Sequence, residues 1–363
     1  MGLWACQPGT SCSPDWPELD RFRQDFIRTD GRVVDPANSR QHSTSEGQAY
    51  ALFFSLIANQ RALFETLLAW TGTHLADGHL GEKLPAWEWA ESEPGKGAIL
   101  DPNPASDADL WLSYTLIEAG RLWSVPAYTE VGQALARQIL AEETDQLPRL
   151  GRTLLPGREG FHPSPERWRL NPSYSPPFLI AALAAKTDEP AWQEIHRSSL
   201  QVLSATQHGF AGDWLLYTAP NRFEPDPGSA FRGSYDAIRV YLWVGMTSPL
   251  DTTRAGLIER LGGMRRQLGE TQTAPESVDL RTGLAEAEGP RGFAMALVPF
   301  LIASGQSAAS QALLQRIQSK QAEPRDLTYY SQALSLFSQG FSDGRFGFDS
   351  DGTLRTRWSG SCD

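Results

Sequence analysis

Residues 43–70 read STSEGQAYALFFSLIANQRALFETLLAW. The stretch opens on small polar residues and one acid, Glu46. Tyr50, Phe53, Phe54, Ile57 and Ala58 then recur at helical spacing, and residues 49–58 are apolar almost all round. A helix with no polar face has nothing to offer water, so it is buried on every side. After a break at Asn59 and Gln60, Phe64, Leu67 and Leu68 carry a second helical stretch. The pair predicts a hairpin of one inner and one outer helix.

The inner type recurs along the chain. Leu110, Trp111, Tyr114, Ile117 and Leu122 repeat it, as do Ile238, Tyr241 and Leu242, then Met295, Val298 and Leu301. More polar helices, at residues 128–143 and 192–204, alternate with them. An all-α fold in two layers follows: helix pairs of this length suit a closed ring of helical hairpins, although no sequence repeat marks the units. Strand signal is thin. RFGFDSDGTLRTRW (345–358) alternates apolar and polar residues around Asp351-Gly352 and predicts one short hairpin. Its Asp349-Ser350-Asp351-Gly352 resembles part of a calcium loop but lacks the distal glutamate, which favours a plain turn.

With 363 residues, 40% of them hydrophobic, the chain can bury a large core. No linker or charge block divides it, so residues 16–363 are expected to form one domain behind a tail at 1–15. The net charge is -11, which disfavours nucleic acid and anionic membranes, since both need a basic face. The longest apolar runs, 49–58 and 294–303, are too short to span a bilayer. The opening MGLWACQPG lacks a charged segment and a full apolar one, so no intact signal peptide is read; a leader remnant and a plain tail look alike. Cys6, Cys12 and Cys362 have no metal spacing. A Cys12–Cys362 disulfide in an exported protein and free terminal thiols both stay open.

Three places share one design: a small polar residue and an acid before an apolar helix. They are Ser45-Glu46, Ser106-Asp107 and Ser234-Tyr235-Asp236. Each alone is explained by helix capping and by the helix dipole. Inner helices running the same way, however, bring their N-termini to one face, where acids from distant parts of the chain meet. Paired carboxylates flanking a bond are the apparatus of glycoside hydrolysis: one gives a proton to the leaving oxygen, the other stays ionised. Trp87, Trp89, Trp168, Tyr174 and Trp214 lie in loops, where flat rings suit the apolar face of a sugar; core packing is the competing use. Asn171 and Arg169 beside them either bind hydroxyls or cap loops. Nucleotide, zinc-protease and serine-hydrolase motifs are missing, and the six histidines are scattered, so no metal and no cofactor are expected.

TSEGQAY, LPAWEW, ASDADLW, RWRLNPSYSPP and SYDAIRVYLWVGM occur in this order, and the set resembles glycoside hydrolase family 8 from about Trp16 to the C-terminus. Among its members, the resemblance is nearest to the periplasmic endoglucanases encoded with bacterial cellulose synthase, which have a cysteine near each end. It implies an (α/α)6 barrel with the cleft at the N-terminal ends of the inner helices, and inverting cleavage within β-1,4-glucan (cellulose). Glu46 would be the general acid, Asp236 the general base, and Asp107 the residue holding the distorted sugar. Tyr174, Tyr235 and Arg239 would fix the water and orient the base; Trp87 and Trp168 would be sugar platforms. Ala51-Leu52 and Ala108 depart from the usual Gly-Met and Gly behind the acids. A monomer in the periplasm or outside the cell, possible contact with the cellulose synthase export machinery, and no nucleic-acid partner complete the expectation. The alternatives are another glycan (chitosan, xylan or mixed-linkage β-glucan) and a glucan-binding component of low activity.

Overall fold

The computed structural model describes residues 15–36, 41–93 and 95–359. The three cysteines, and with them the question of the terminal disulfide, lie outside these residues.

The opening stretch folds as a helix hairpin. Thr44 caps the first helix by accepting from Gly47 N at 3.2 Å. With α1 at Pro17–Phe26, this helix is α2 (Ser45–Ile57), and every residue from Gly47 to Ile57 is buried. Its partner α3 (Arg61–Leu75) buries one side only: Phe64, Leu67, Trp70, Thr71 and Leu75. The same pairing repeats around the ring. The inner members are α2, α4 (Ser106–Trp123), α6 (Pro177–Lys186), α8 (Ala237–Met246), α11 (Arg291–Ala303) and α13 (Tyr329–Ser342). Behind them stand α3, α5 (Pro126–Glu142), α7 (Ala191–Ser204), the bent pair α9 (Arg254–Arg260) and α10 (Gly262–Thr271), and α12 (Ser307–Ser319), with α1 against α13. This is the expected (α/α)6 barrel.

Bulky rings fill its axis. Trp111, Trp243 and Phe337, from α4, α8 and α13, stand 5.0–5.4 Å apart between centroids, and Phe53 of α2 lies 4.8 Å from Trp111. The edge-on pairs Phe53–Trp111 and Trp243–Phe337 each contribute about 0.5–1.5 kcal/mol beyond their area burial. Ala51, Leu52 and Ala108, the departures from the family pattern, are buried in this core.

Strand content exceeds the sequence expectation. The hairpin Phe346–Phe348 with Leu354–Thr356 is present, but short strands form four further small sheets among the described residues. They run two to six residues in the connections between helices and carry many polar side chains, so no alternation betrays them. One of these sheets matters for the site. Ser43 pairs with Trp89 and Thr44 with Glu88, and Ser45 N donates to Trp87 O at 2.9 Å. The start of α2 is thereby held beside Trp87.

The C-terminal hairpin seals the opposite end. Phe348 stacks on Phe178 at 3.8 Å, and Tyr114 Oη donates to Gly352 O at 2.9 Å. Buried Glu118 pairs with Lys186 at 3.3 Å and with Arg121. Arg345 donates to Asp15 O and Trp358 to Leu56 O, so both ends of the described chain meet this floor. Turn bonds from Gly352 N to Asp349 O and from Thr353 N to Asp351 Oδ1 satisfy the aspartate-rich loop.

Candidate active site

The starts of α2, α4, α8 and α13 come together, and the three singled-out acids meet there around one cation. Arg239, one turn into α8, is buried. Its Nη2 donates to Asp236 Oδ1 at 2.9 Å and to Ser173 Oγ at 2.8 Å, and lies 3.5 Å from Asp107 Oδ2. Its Nη1 reaches Tyr330 Oη at 3.5 Å, and the guanidinium lies over the rings of Tyr174 and Tyr330 at 5.7 and 5.9 Å. Beside it a cavity of about 230 Å³ is lined by Thr44, Glu46, Tyr50, Tyr329 and Tyr330, among others.

Glu46 sits in the first turn of α2. Capping is done by Thr44, so the carboxyl is free for other work. Its Oε1 accepts from Trp87 Nε1 at 3.1 Å, and its buried Oε2 has no hydrogen-bond partner. Burial pushes its pKa up, against the pull of its own backbone N–H, the charge of Arg239 and the Trp87 bond. Asp107 is raised to about 8, first by burial and then by the charge of Glu46. Three carboxyls thus share one guanidinium, and burial favours the protonated form where that single charge does not suffice. Asp236 has the direct ion pair with Arg239 and is partly open to the cleft. Behind Asp107, Asp109 and Glu143 are fully buried carboxyls facing one another, both raised by burial and by neighbouring acids.

Glu46, Asp107, Asp236, Arg239 and Tyr174 are therefore gathered at one place, and Trp87 joins them with its indole bonded to Glu46 and 36% of its surface exposed. Tyr235 stands at the rim, 48% exposed, but its hydroxyl donates to Glu276 Oε1 at 3.0 Å rather than toward Asp236. Two expectations need correction. Trp168 is 3% exposed; it stacks on His162, donates to Asp145 Oδ2 at 2.7 Å, and packs in a second small core, so it offers no face to a sugar. Asn171 is also buried, and its Oδ1 caps the turn at Pro172–Tyr174 by accepting from Ser173 N and Oγ. Trp89 is likewise packed, beneath Arg32. Trp214, near these loops, is half-buried, covered on one side by Arg169 at 3.9 Å and flanked by Phe161 and Tyr174.

Sequence reasoning missed Tyr330, Tyr329 and Asp213. The two tyrosines follow Thr328 at the start of an apolar helix, the same design as the acids, applied there to the wrong residue type. Asp213 gave no signal, because the groups it binds lie more than twenty residues further on.

A helical barrel that gathers a buried acid of raised proton affinity and an ion-paired carboxylate around one buried arginine fits the paired-carboxyl apparatus of glycoside hydrolysis. The model of glycosyl hydrolases family 8 matches residues 1–344, and the chain belongs to that family. An endoglucanase of Salmonella typhi is 41% identical over 99% of this chain and 95% of its own. One of Xanthomonas axonopodis pv. citri is 42% identical over 96% and 91%. The crystal structure of an endo-1,4-D-glucanase from Vibrio fischeri ES114 superposes with a TM-score of 0.86 at 38% identity, covering 95% of this chain and all of that one.

Proposed function

We propose that this family 8 hydrolase is an endo-β-1,4-glucanase that cuts cellulose and cello-oligosaccharides with inversion. Glu46 gives its proton to the glycosidic oxygen as the bond to the anomeric carbon breaks. A water attacks that carbon from the other face, and Asp236 takes the proton it sheds. Glu46 ends ionised and Asp236 protonated, and exchange with solvent resets both. Asp107 holds the sugar at the cleavage point, and Arg239 orients Asp236. The observation that carries this assignment is the asymmetry of the two carboxyls: Glu46 buried with raised proton affinity, Asp236 held by a guanidinium at 2.9 Å. Relatives about 41% identical over nearly their whole length are endoglucanases, which supports the substrate class. Trp87 supplies a ring beside the acid on which a glucose unit can rest.

Following anomers by NMR as cellopentaose is cut tests the assignment. Initial α-anomer is expected, with kcat lowered by about 10²–10⁴-fold but still measurable in Glu46→Gln and Asp236→Asn. Initial β-anomer, or near-normal cutting by Asp236→Asn, would overturn it. The motif resemblance further supports work as a monomer in the periplasm or outside the cell, trimming cellulose as it is exported. Fractionation of the native host, with activity tracked across compartments, checks this.

A further inference from the structure

Asp213 is the residue whose position the proposed reaction leaves unexplained. Its Oδ1 accepts three backbone N–H groups at the start of α8: Ser234 at 2.7 Å, Asp236 at 3.1 Å and Ala237 at 2.8 Å. Ala237 opens α8, Asp236 is its N-cap and Ser234 precedes it, so these are donors at the helix start that the helix itself cannot satisfy. The local residue suited to take them is Ser234, but its hydroxyl donates to Glu276 O at 2.7 Å. An acid from a different loop does the capping instead. Asp213 is held there by its own backbone, since its N–H donates to Arg232 O at 2.9 Å.

The comparison with Asp107 shows what this accomplishes. Asp107 lies in the first turn of α4, where no other side chain caps, and its Oδ1 turns back to accept the N–H of the next residue, Ala108, at 2.9 Å. Asp236 has the same relation to Ala237, yet makes no such bond, because Asp213 already occupies that N–H. Its carboxylate is left to face Arg239 and the cleft.

We propose that Asp213 is a positioning residue, a surrogate cap whose occupation of the N–H groups at and just before the start of α8 keeps the Asp236 carboxylate turned toward the attacking water. This rests on Asp236 being the base. Asp213 itself never touches substrate. The half-buried carboxyl acts on the base through the backbone at the start of α8 and through the charge it sets beside Asp236.

The experiment measures kcat and KM on cellopentaose for Asp213→Asn, Asp213→Ser and Asp213→Ala, each well below its melting temperature. Asparagine keeps the acceptor oxygen, serine offers a shorter one, and alanine offers none. The expected order of kcat is Asn, Ser, Ala. The alanine variant should lose about 100-fold, the scale of a misplaced reacting group, with KM within about twofold of the parent. Adding Asp213→Ser to Asp236→Asn should cost nothing further. Equal kcat in the asparagine and serine variants, or an undiminished loss in the Asp236→Asn background, would overturn the proposal, and this comparison stands even if the alanine variant does not fold. Near-normal activity of Asp236→Asn alone would instead remove the base assignment, which separates the two failures.

Discussion

Trp87→Phe tests whether the indole bond to Glu46 tunes the proton donor. Trp87 Nε1 donates to Glu46 Oε1 at 3.1 Å, and that bond favours the ionised carboxylate. Burial works the other way and wins, so Glu46 holds its proton above the usual carboxylate range. In the proposed reaction the donor functions while protonated, and kcat/KM falls as pH rises through its pKa. Phenylalanine keeps an aromatic face for the sugar but removes the N–H. A net hydrogen bond of about 1 kcal/mol at a partly exposed indole corresponds to roughly 0.7 pH units at about 1.4 kcal/mol per unit. The basic limb of the kcat/KM profile should therefore move up by about half a unit to one unit, with the acidic limb unmoved. Initial rates on cellopentaose from pH 4 to 10 provide the profile. A basic limb that stays in place or moves down would refute the reasoning, because Glu46 would then not be the group whose protonation limits the rate.

The buried pair Asp109 and Glu143 makes a prediction about stability. Both carboxyls are raised well above the unfolded range of about 4, so the folded chain binds more protons than the unfolded one as pH climbs past that value. Stability then falls with rising pH, by about 1.4 kcal/mol per unit for each retained proton, and Asp109→Asn should melt with a visibly smaller loss between pH 5 and pH 8 than the parent. Gly352→Ala should destabilise by about 2 kcal/mol or more in urea titration: φ is +78° there, and a Cβ would lie 2.0 Å from Phe178 O. Trp168→Phe should leave KM for cello-oligosaccharides within about twofold, since its ring faces a core and not the cleft.

How much of this was legible in the residues depends on the range of the signal. Helices buried on all sides announce themselves locally, so residues 49–58 and 237–246 marked the inner layer, while the motif resemblance supplied the (α/α)6 barrel and the common direction of its inner helices. The first-turn acids followed from that direction. Trp168 did not: a loop tryptophan between charged neighbours has the same local pattern whether it faces sugar or, as here, stacks on His162 over a hidden core. Asn171 was ambiguous for a similar reason, and its cap is the commoner use of an asparagine before Pro. Asp213 lay beyond local reading altogether, because capping was assumed to be done by neighbours in sequence. The small sheets escaped because strands of two to six residues are too brief for a period of two to register.

The floor formed by the C-terminal hairpin has a practical consequence. Arg345 reaches Asp15 and Trp358 reaches Leu56, the last turn of α2, so both ends of the described chain emerge on the side away from the three acids. Attachment through either end, to a bead, an electrode or a scaffold, would present the cleft outward. An immobilised film of this enzyme should then meet insoluble polymer face-on, whichever end carries the anchor.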